Sequence, residues 1–412
     1  MKVLWITNMM LPPIAIACNR KVNVGGGWMY SSLKRLKNLR EIELGVATVY
    51  DGAELIEKEL DNVKYYLLPL RGKDRTQYNS ILENYWRDIN EKFNPDVVHI
   101  HGTEYPHGLA YVRATLSTNV VVSIQGLVSK YAEYYLGDIT QMECLKNISL
   151  HDVLKNNSLF HQQKRFKKRG LSEIELLKNV SHIIGRTEWD KSNVWAINSQ
   201  VRYHHCGETL RDEFYKHKWN YENCKPHTIF VSQAGYPIKG FHKLLDAIAL
   251  VIPFYPDTHI YVPGANIIDL PWYKISSYGK YLKSKLKKLG IENHVTFLGP
   301  LSEGEMCNQF LKCNLFICPS IIENSPNSVG EAQLLGVPYL TSICGGTPQI
   351  CGYNFNSLYR FEETASLAYK ICDVFKAGQS YAPLPVDLSI YDGNQNLNQL
   401  LNIYNSITDG SK

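Results

Sequence analysis

The chain has 412 residues, 44% of them hydrophobic and 20% charged, with a formal net charge of +5. At about 150 residues per domain this is more than one core organises, so two or three domains are expected, with two the starting estimate. The composition excludes a disordered polymer, and so small a charge excludes the dense basic face of a nucleic-acid binder while admitting anionic ligands.

Residues 3–6 (VLWI) read as a buried strand that runs into Thr7 and Asn8 after four apolar residues, too short for a secretory signal. No later stretch reaches about 18 apolar residues, so the chain is expected neither to span a membrane nor to be exported by a visible signal. A loop with Pro12 and Pro13 leads to Gly25, Gly26 and Gly27, followed by a helical pattern over 28–39 with Trp28, Met29, Leu33 and Leu36. Strand, glycine-rich loop and helix N-terminus together make a place where backbone N–H groups and the helix dipole meet an anion.

Strand-like runs at 42–49, 63–68, 97–100 and 120–124, separated by longer polar or helical stretches, continue the alternation of a parallel sheet. The basic run 164–169 (KRFKKR) has two readings. One is a solvated helix face, and the other is contact with an anionic membrane surface or a phosphorylated acceptor.

Residues 203–225 carry no hydrophobic periodicity and place a boundary near 210. A second alternating series follows at 228–231, 259–262, 295–298, 315–317 and 339–342, and an Asn- and Leu-rich helical stretch covers 394–407. The organisation expected is a Rossmann-like N-terminal domain over 1–210, a second over 211–385, and a helical segment over 386–412. Ten cysteines without a CxxC pair fit a reducing cytoplasm.

The chemistry concentrates in 318–338 (CPSIIENSPNSVGEAQLLGVP). A strand over 315–317 ends at Pro319, Ser325 is placed to cap a helix that begins at Pro326, and Gly336 closes that helix. Glu323 then lies at the carboxyl end of a strand, where open α/β sheets put their ligands, and Glu331 sits about one and a half turns into the helix. The amides of Ser325, Asn327 and Ser328 suit a diphosphate, and the two carboxylates suit sugar hydroxyls. Two glutamates alone read equally as capping or surface charges.

Read as a unit, Glu323 to Glu331, the following AQLLGVP and Cys344-Gly345-Gly346 resemble the E-x7-E signature of glycosyltransferase family 4. The resemblance implies that Glu323 contacts the transferred sugar and Glu331 takes the ribose hydroxyls, while Gly345 and Gly346 form a turn where backbone approaches the ligand closely. Upstream, 230–241 (FVSQAGYPIKGF) resembles the family's G-R-L-x-x-x-K-G segment, which puts Lys239 where a lysine neutralises the departing diphosphate. The family's arginine has no counterpart, since Gln233 or Ala234 stands near its place.

In the first domain, 95–102 (PDVVHIHG) resembles the family's D-x-x-H-x-H strand, with His101 at the position that faces the donor sugar in the phosphatidylinositol mannosyltransferases. Alternation puts His99 on the same side, and a buried, backbone-satisfied histidine is the other reading of both. Two departures stand out. Gln125-Gly126 replaces a frequent histidine, and 185–190 (GRTEWD) replaces a plainer turn. Arg186 and Glu188 in that turn would serve the acceptor, replace the missing arginine, or simply cap a helix.

The resemblance therefore implies two Rossmann-like parallel-sheet domains facing each other across a cleft, the GT-B arrangement, with 1–210 on the acceptor side, 211–385 binding the nucleotide sugar and 386–412 packing back toward the N-terminal domain. It implies retaining, metal-independent transfer from a nucleotide-diphosphate sugar, with a UDP-sugar favoured, to a hydroxyl of a glycan or lipid-linked acceptor in polysaccharide synthesis. His101, Glu323 and Lys239 are the expected catalytic residues, and Gly26, Gly27, Ser325, Asn327, Ser328, Glu331, Gly345 and Gly346 the expected donor-binding ones. No cofactor beyond the donor, no metal and no nucleic acid is expected, since His204, His205 and the other histidines lack ligand spacing. The location expected is cytoplasmic, with peripheral contact to the inner face of the membrane. A sugar-nucleotide epimerase on the same scaffold and a non-catalytic sugar-nucleotide-binding protein are the alternatives.

Overall fold

The computed structural model describes residues 1–22, 26–381 and 385–409. The chain divides into two compact units, the first made of Met1–Lys130, Phe166–Leu210 and Ser389–Lys412, the second of Tyr131–Arg165 and Arg211–Leu388.

The first unit is built on an eight-stranded sheet: β1 (Lys2–Thr7), β2 (Glu43–Tyr50), β3 (Ile56–Leu60), β4 (Val63–Pro69), β5 (Val97–His101), β6 (Val120–Ser123), β7 (His182–Gly185) and β8 (Arg202–His205). Their order is β3-β4-β2-β1-β5-β6-β7-β8. All pairs are parallel except β3 with β4. The central strands are near-continuous apolar runs because both faces are covered. Leu4 and Ile6 pack with Trp86 and Phe93 on one face, and Val3 and Trp5 with Met29, Leu33 and Tyr404 on the other. Tyr404 belongs to the helix Gly393–Asp409, and its hydroxyl accepts a hydrogen bond from Trp5 Nε1 at 3.0 Å.

The second unit holds six parallel strands: β9 (Lys225–Phe230), β10 (His259–Val262), β11 (Val295–Phe297), β12 (Cys313–Cys318), β13 (Tyr339–Ser342) and β14 (Leu358–Tyr359), in the order β11-β10-β9-β12-β13-β14. Its core gathers Ile229, Leu315 and Leu340 from the strands with Phe241, Leu244 and Ile248 from the helix Phe241–Val251.

Several features differ from the sequence reading: the expected loop at Pro12 and Pro13 forms a short helix, Pro12–Ala17. Tyr131–Arg165, expected within a continuous domain 1–210, belongs to the second unit. Its buried Ile139, Cys144 and Leu159 join the core around Phe241, and His242 Nε2 bonds the Gly137 carbonyl at 2.7 Å. Strands β3, β7, β8 and β14 were not foreseen; β7 is only four residues long, and the other three lie at sheet edges, where β3 (IEKEL) and β8 (RYHH) carry charged or histidine side chains in place of an apolar run. The first glycine-rich helix spans Gly27–Leu36 and stops three residues short of the expected end.

All ten cysteines are free thiols. Among the described residues no helix is long and apolar enough to cross a membrane.

Candidate active site

The glutamate segment follows β12. The helix after it spans Asn327–Leu335 and closes on left-handed Gly336 at φ 79°. Its N-cap is Pro326, with no side-chain cap, so Ser325 does not cap the helix and Pro326 is not its first residue. Proline brings no N–H of its own, and the first turn still presents the N–H groups of Asn327 and Ser328 without intrahelical partners. Ser325, Asn327 and Ser328 are half-buried.

Glu323 lies in the loop between strand and helix and is 8% exposed. Its Oε1 accepts from Lys239 Nζ at 2.5 Å and from Ser320 Oγ at 2.9 Å. Two backbone approaches bring these groups together. Ile321 N donates to the Ile238 carbonyl at 2.7 Å, and Gly240 (φ +67°) lies so close to the Pro319 carbonyl that a Cβ there would collide with it. On the other side Gly346 N donates to the Glu323 carbonyl at 3.1 Å, and a Cβ on Gly345 (φ +50°) would strike the same oxygen. Gly345 and Gly346 thus hold the backbone of Glu323. Burial disfavours the Lys239 ammonium, but the Glu323 carboxylate outweighs it and keeps the lysine charged above its ordinary range. Asn324 N donates to the Tyr131 hydroxyl at 3.2 Å, another contact within the second unit.

Glu331 is 3% exposed and is gripped by Arg211: Nε to Oε1 at 2.6 Å, Nη2 to Oε2 at 2.7 Å. Burial raises the carboxyl pKa of Glu331, and Arg211 opposes that shift. Sequence reasoning missed Arg211. It lies in the stretch without periodicity, 120 residues from its partner, and no local signal marks it. Near Gln233 and Ala234, where the resemblance put an arginine, the chain has none.

His101 ends β5 in the first unit, is 4% exposed, and both of its ring nitrogens lack a hydrogen-bond partner among the described residues. Its ring stacks on His99 (centroids 3.8 Å apart) and tilts against Trp5 (4.3 Å). His99 is satisfied instead: Nδ1 faces the Tyr404 hydroxyl at 2.7 Å and Nε2 the Ser123 hydroxyl at 2.6 Å. The two hydroxyls serve a neutral ring, in which one nitrogen donates and the other accepts. Burial holds His101 well below the ordinary histidine range, and the His99 ring adds to this.

His101 lines a cavity of about 60 Å³ with Trp5, Trp28, Gln125, Arg186 and Glu208. Arg186 pairs with Glu208 inside it and donates to the Ile124 carbonyl at 3.1 Å. Glu188 is exposed at the start of the helix Glu188–Ile197, paired with Lys191. Gly26 is the left-handed N-cap of the helix that Gly27 begins, and Gly25 lies outside the described residues.

The structure therefore joins Glu323, Lys239, Gly345 and Gly346 in one cluster beside the helix that carries Glu331. His101 and Gly26 belong to the first unit. Among the described residues no three His, Cys, Asp or Glu side chains are grouped to hold a metal ion.

Residues 212–384 match the family model of glycosyl transferases group 1. That group 1 segment carries all of β9 to β14 with Lys239, Glu323 and Glu331, and begins one residue after Arg211. A mannosylfructose-phosphate synthase of Agrobacterium fabrum (strain C58 / ATCC 33970) is 25% identical over 123 residues, which cover 29% of this chain and 26% of that protein.

Among solved structures, the chain is similar to sucrose-phosphate synthase from Thermosynechococcus elongatus (TM-score 0.63, 13% identity, 100% of this chain and 97% of that one). It is also similar to Anabaena HepE in complex with UDP-glucose (0.61, 16%, 100% and 99%). A third is the α,α-trehalose 6-phosphate synthase from Burkholderia multivorans (0.64, 9%, 100% of both). At such identities the likeness shows the fold: two parallel-sheet α/β units of the GT-B type.

Proposed function

We propose that this chain transfers a sugar, with retention of anomeric configuration, from a nucleotide-diphosphate sugar to a hydroxyl of a glycan or lipid-linked acceptor in polysaccharide synthesis. The observation that carries the reading is the buried Lys239–Glu323 pair, set between the glycine turn at 345–346 and the N-terminus of the Asn327–Leu335 helix. In the bond exchange, the anomeric carbon leaves the terminal phosphate oxygen as the acceptor oxygen bonds on the same face. The acceptor proton passes to the departing phosphate.

Negative charge grows on that phosphate, and electrostatic stabilisation there is the protein's largest task. Lys239 keeps two N–H groups beyond the one given to Glu323, and the helix N-terminus adds the amides of Ser325, Asn327 and Ser328. Glu323 orients the transferred sugar and Glu331 takes the ribose hydroxyls. In the first unit, His101 offers a neutral ring to a sugar hydroxyl. With a lysine and a helix end supplying the positive charge, the transfer runs without a divalent ion or further cofactor, and a UDP-sugar is the favoured donor, in keeping with the UDP-glucose complex of HepE.

The test is a thermal-shift panel of UDP-, GDP- and ADP-sugars. It is followed by transfer to glycan, lipid-linked and small sugar-phosphate acceptors, with and without a chelator. Stabilisation by a nucleotide sugar and chelator-resistant transfer are expected. Absence of a shift with every donor would sink the reading.

A further inference from the structure

The segment Tyr131–Arg165 carries two short helices whose outward faces are apolar. On Gln141–Lys146, Met142 is 60% and Leu145 54% exposed. On Leu150–Leu154 the usual arrangement is reversed: Leu150, Val153 and Leu154 (74%) face solvent, while Asp152 is fully buried. Asp152 accepts from Ser277 N at 2.6 Å, which clamps the helix with its leucines outward. A chain folding only for its own core puts leucine inside and aspartate outside.

The same clamp places this face beside the helix Ser277–Leu289, and Lys280 Nζ donates to the Ile148 carbonyl at 3.2 Å. Residues 270–288 (LPWYKISSYGKYLKSKLKK) contain six lysines and no acid, and Trp272, five residues before Ser277, is 73% exposed. Of the acids on these two helices, Asp152 is buried against Ser277 and Glu143 is engaged in the capping box of Thr140. Lys285 is paired with Asp246, and Lys280, Lys283, Lys287 and Lys288 are exposed. Exposed leucines, an exposed tryptophan and these exposed lysines match an anionic lipid surface, which takes apolar side chains at the acyl boundary and ammonium groups at its phosphates.

We propose that this face of the second unit attaches the protein to an anionic membrane surface. The attachment lies outside the basic run 164–169, where Arg165, Lys168 and Arg169 are engaged by Asn156, Gln77 and Glu104. It does not rest on the donor chemistry.

The experiment sediments the full chain with vesicles of phosphatidylcholine alone and of phosphatidylcholine with phosphatidylglycerol. The wild type should sediment with the second only. Lys280→Glu with Lys283→Glu should lower partitioning about 25-fold, at about five-fold per lysine, and Leu150→Ser with Leu154→Ser should lower it at least ten-fold. Both variants should keep the wild-type circular dichroism and thermal midpoint, because the altered side chains are exposed. Wild-type protein left in the supernatant, or variants that sediment equally well, would overturn the proposal. So would a wild-type dimer that the leucine variant turns into monomer, since a second copy would then cover the face.

Discussion

Arg211 holds both carboxylate oxygens of Glu331 at 2.6 and 2.7 Å, in the parallel two-bond geometry that only a guanidinium provides. The pair fixes the plane of the glutamate assigned to the ribose. It leaves one lone pair of each oxygen for a further donor, so Arg211 acts as a positioning residue that does not block the site.

Removing one partner leaves the other charge buried and unpaired. Arg211→Ala should destabilise the protein by about 3 kcal/mol in urea denaturation, and Arg211→Met with Glu331→Leu should recover most of that loss. Arg211→Lys keeps the charge but loses the second bond, so UDP binding should weaken by about ten-fold in titration calorimetry. Equal stability of Arg211→Ala and wild type would remove the pair from any structural role.

Glu323 and Lys239 answer to a different measurement. Glu323→Gln and Lys239→Met should each lower the turnover number about 10²-fold or more, while Glu331→Ala should act mainly on nucleotide binding. Unchanged turnover in Glu323→Gln would remove that carboxylate from the reaction.

Gly345→Ala tests the backing of Glu323 without touching its side chain. The residue is left-handed at φ +50° and a methyl would meet the Glu323 carbonyl oxygen, so the loop must shift. A stability loss of about 1–2 kcal/mol from the strained conformation is expected, with a larger fall in turnover than in nucleotide affinity. A fall confined to stability would show that the turn only supports the fold.

Acid should unfold the first unit through His99. Burial lowers its pKa to about 3, whereas the unfolded chain takes up the proton near 6.5. The stability it contributes is complete above about pH 6.5 and drains as the pH falls toward 3, by about 2–3 kcal/mol at pH 4.5. Glu104, whose carboxyl burial pushes up to about 7, works in the opposite sense and loses stability as the pH rises. His99→Gln removes only the first effect, so urea midpoints of wild type and variant should converge as the pH drops from 7 to 4.5. A constant gap between them would mean that His99 is not held neutral.

The alternation of strands in both units and the carboxylates of Glu323 and Glu331 could be read from the sequence, because each rests on residues close together in the chain. A strand recurs every few tens of residues, and the segment that carries both glutamates is contiguous. Lys239 was legible for the same reason, as a lysine–glycine step just after a strand.

Tertiary structure alone decided that Arg211 meets Glu331, that Asp152 turns leucines outward, and that Tyr131–Arg165 leaves the first unit for the core around Phe241. It also supplied the polar edge strands β3 and β8, stabilised by pairing with a neighbour and not by their own apolar pattern. Partners 120 or more residues apart leave no periodic trace, since the free energy that selects them arises only when the whole core excludes water.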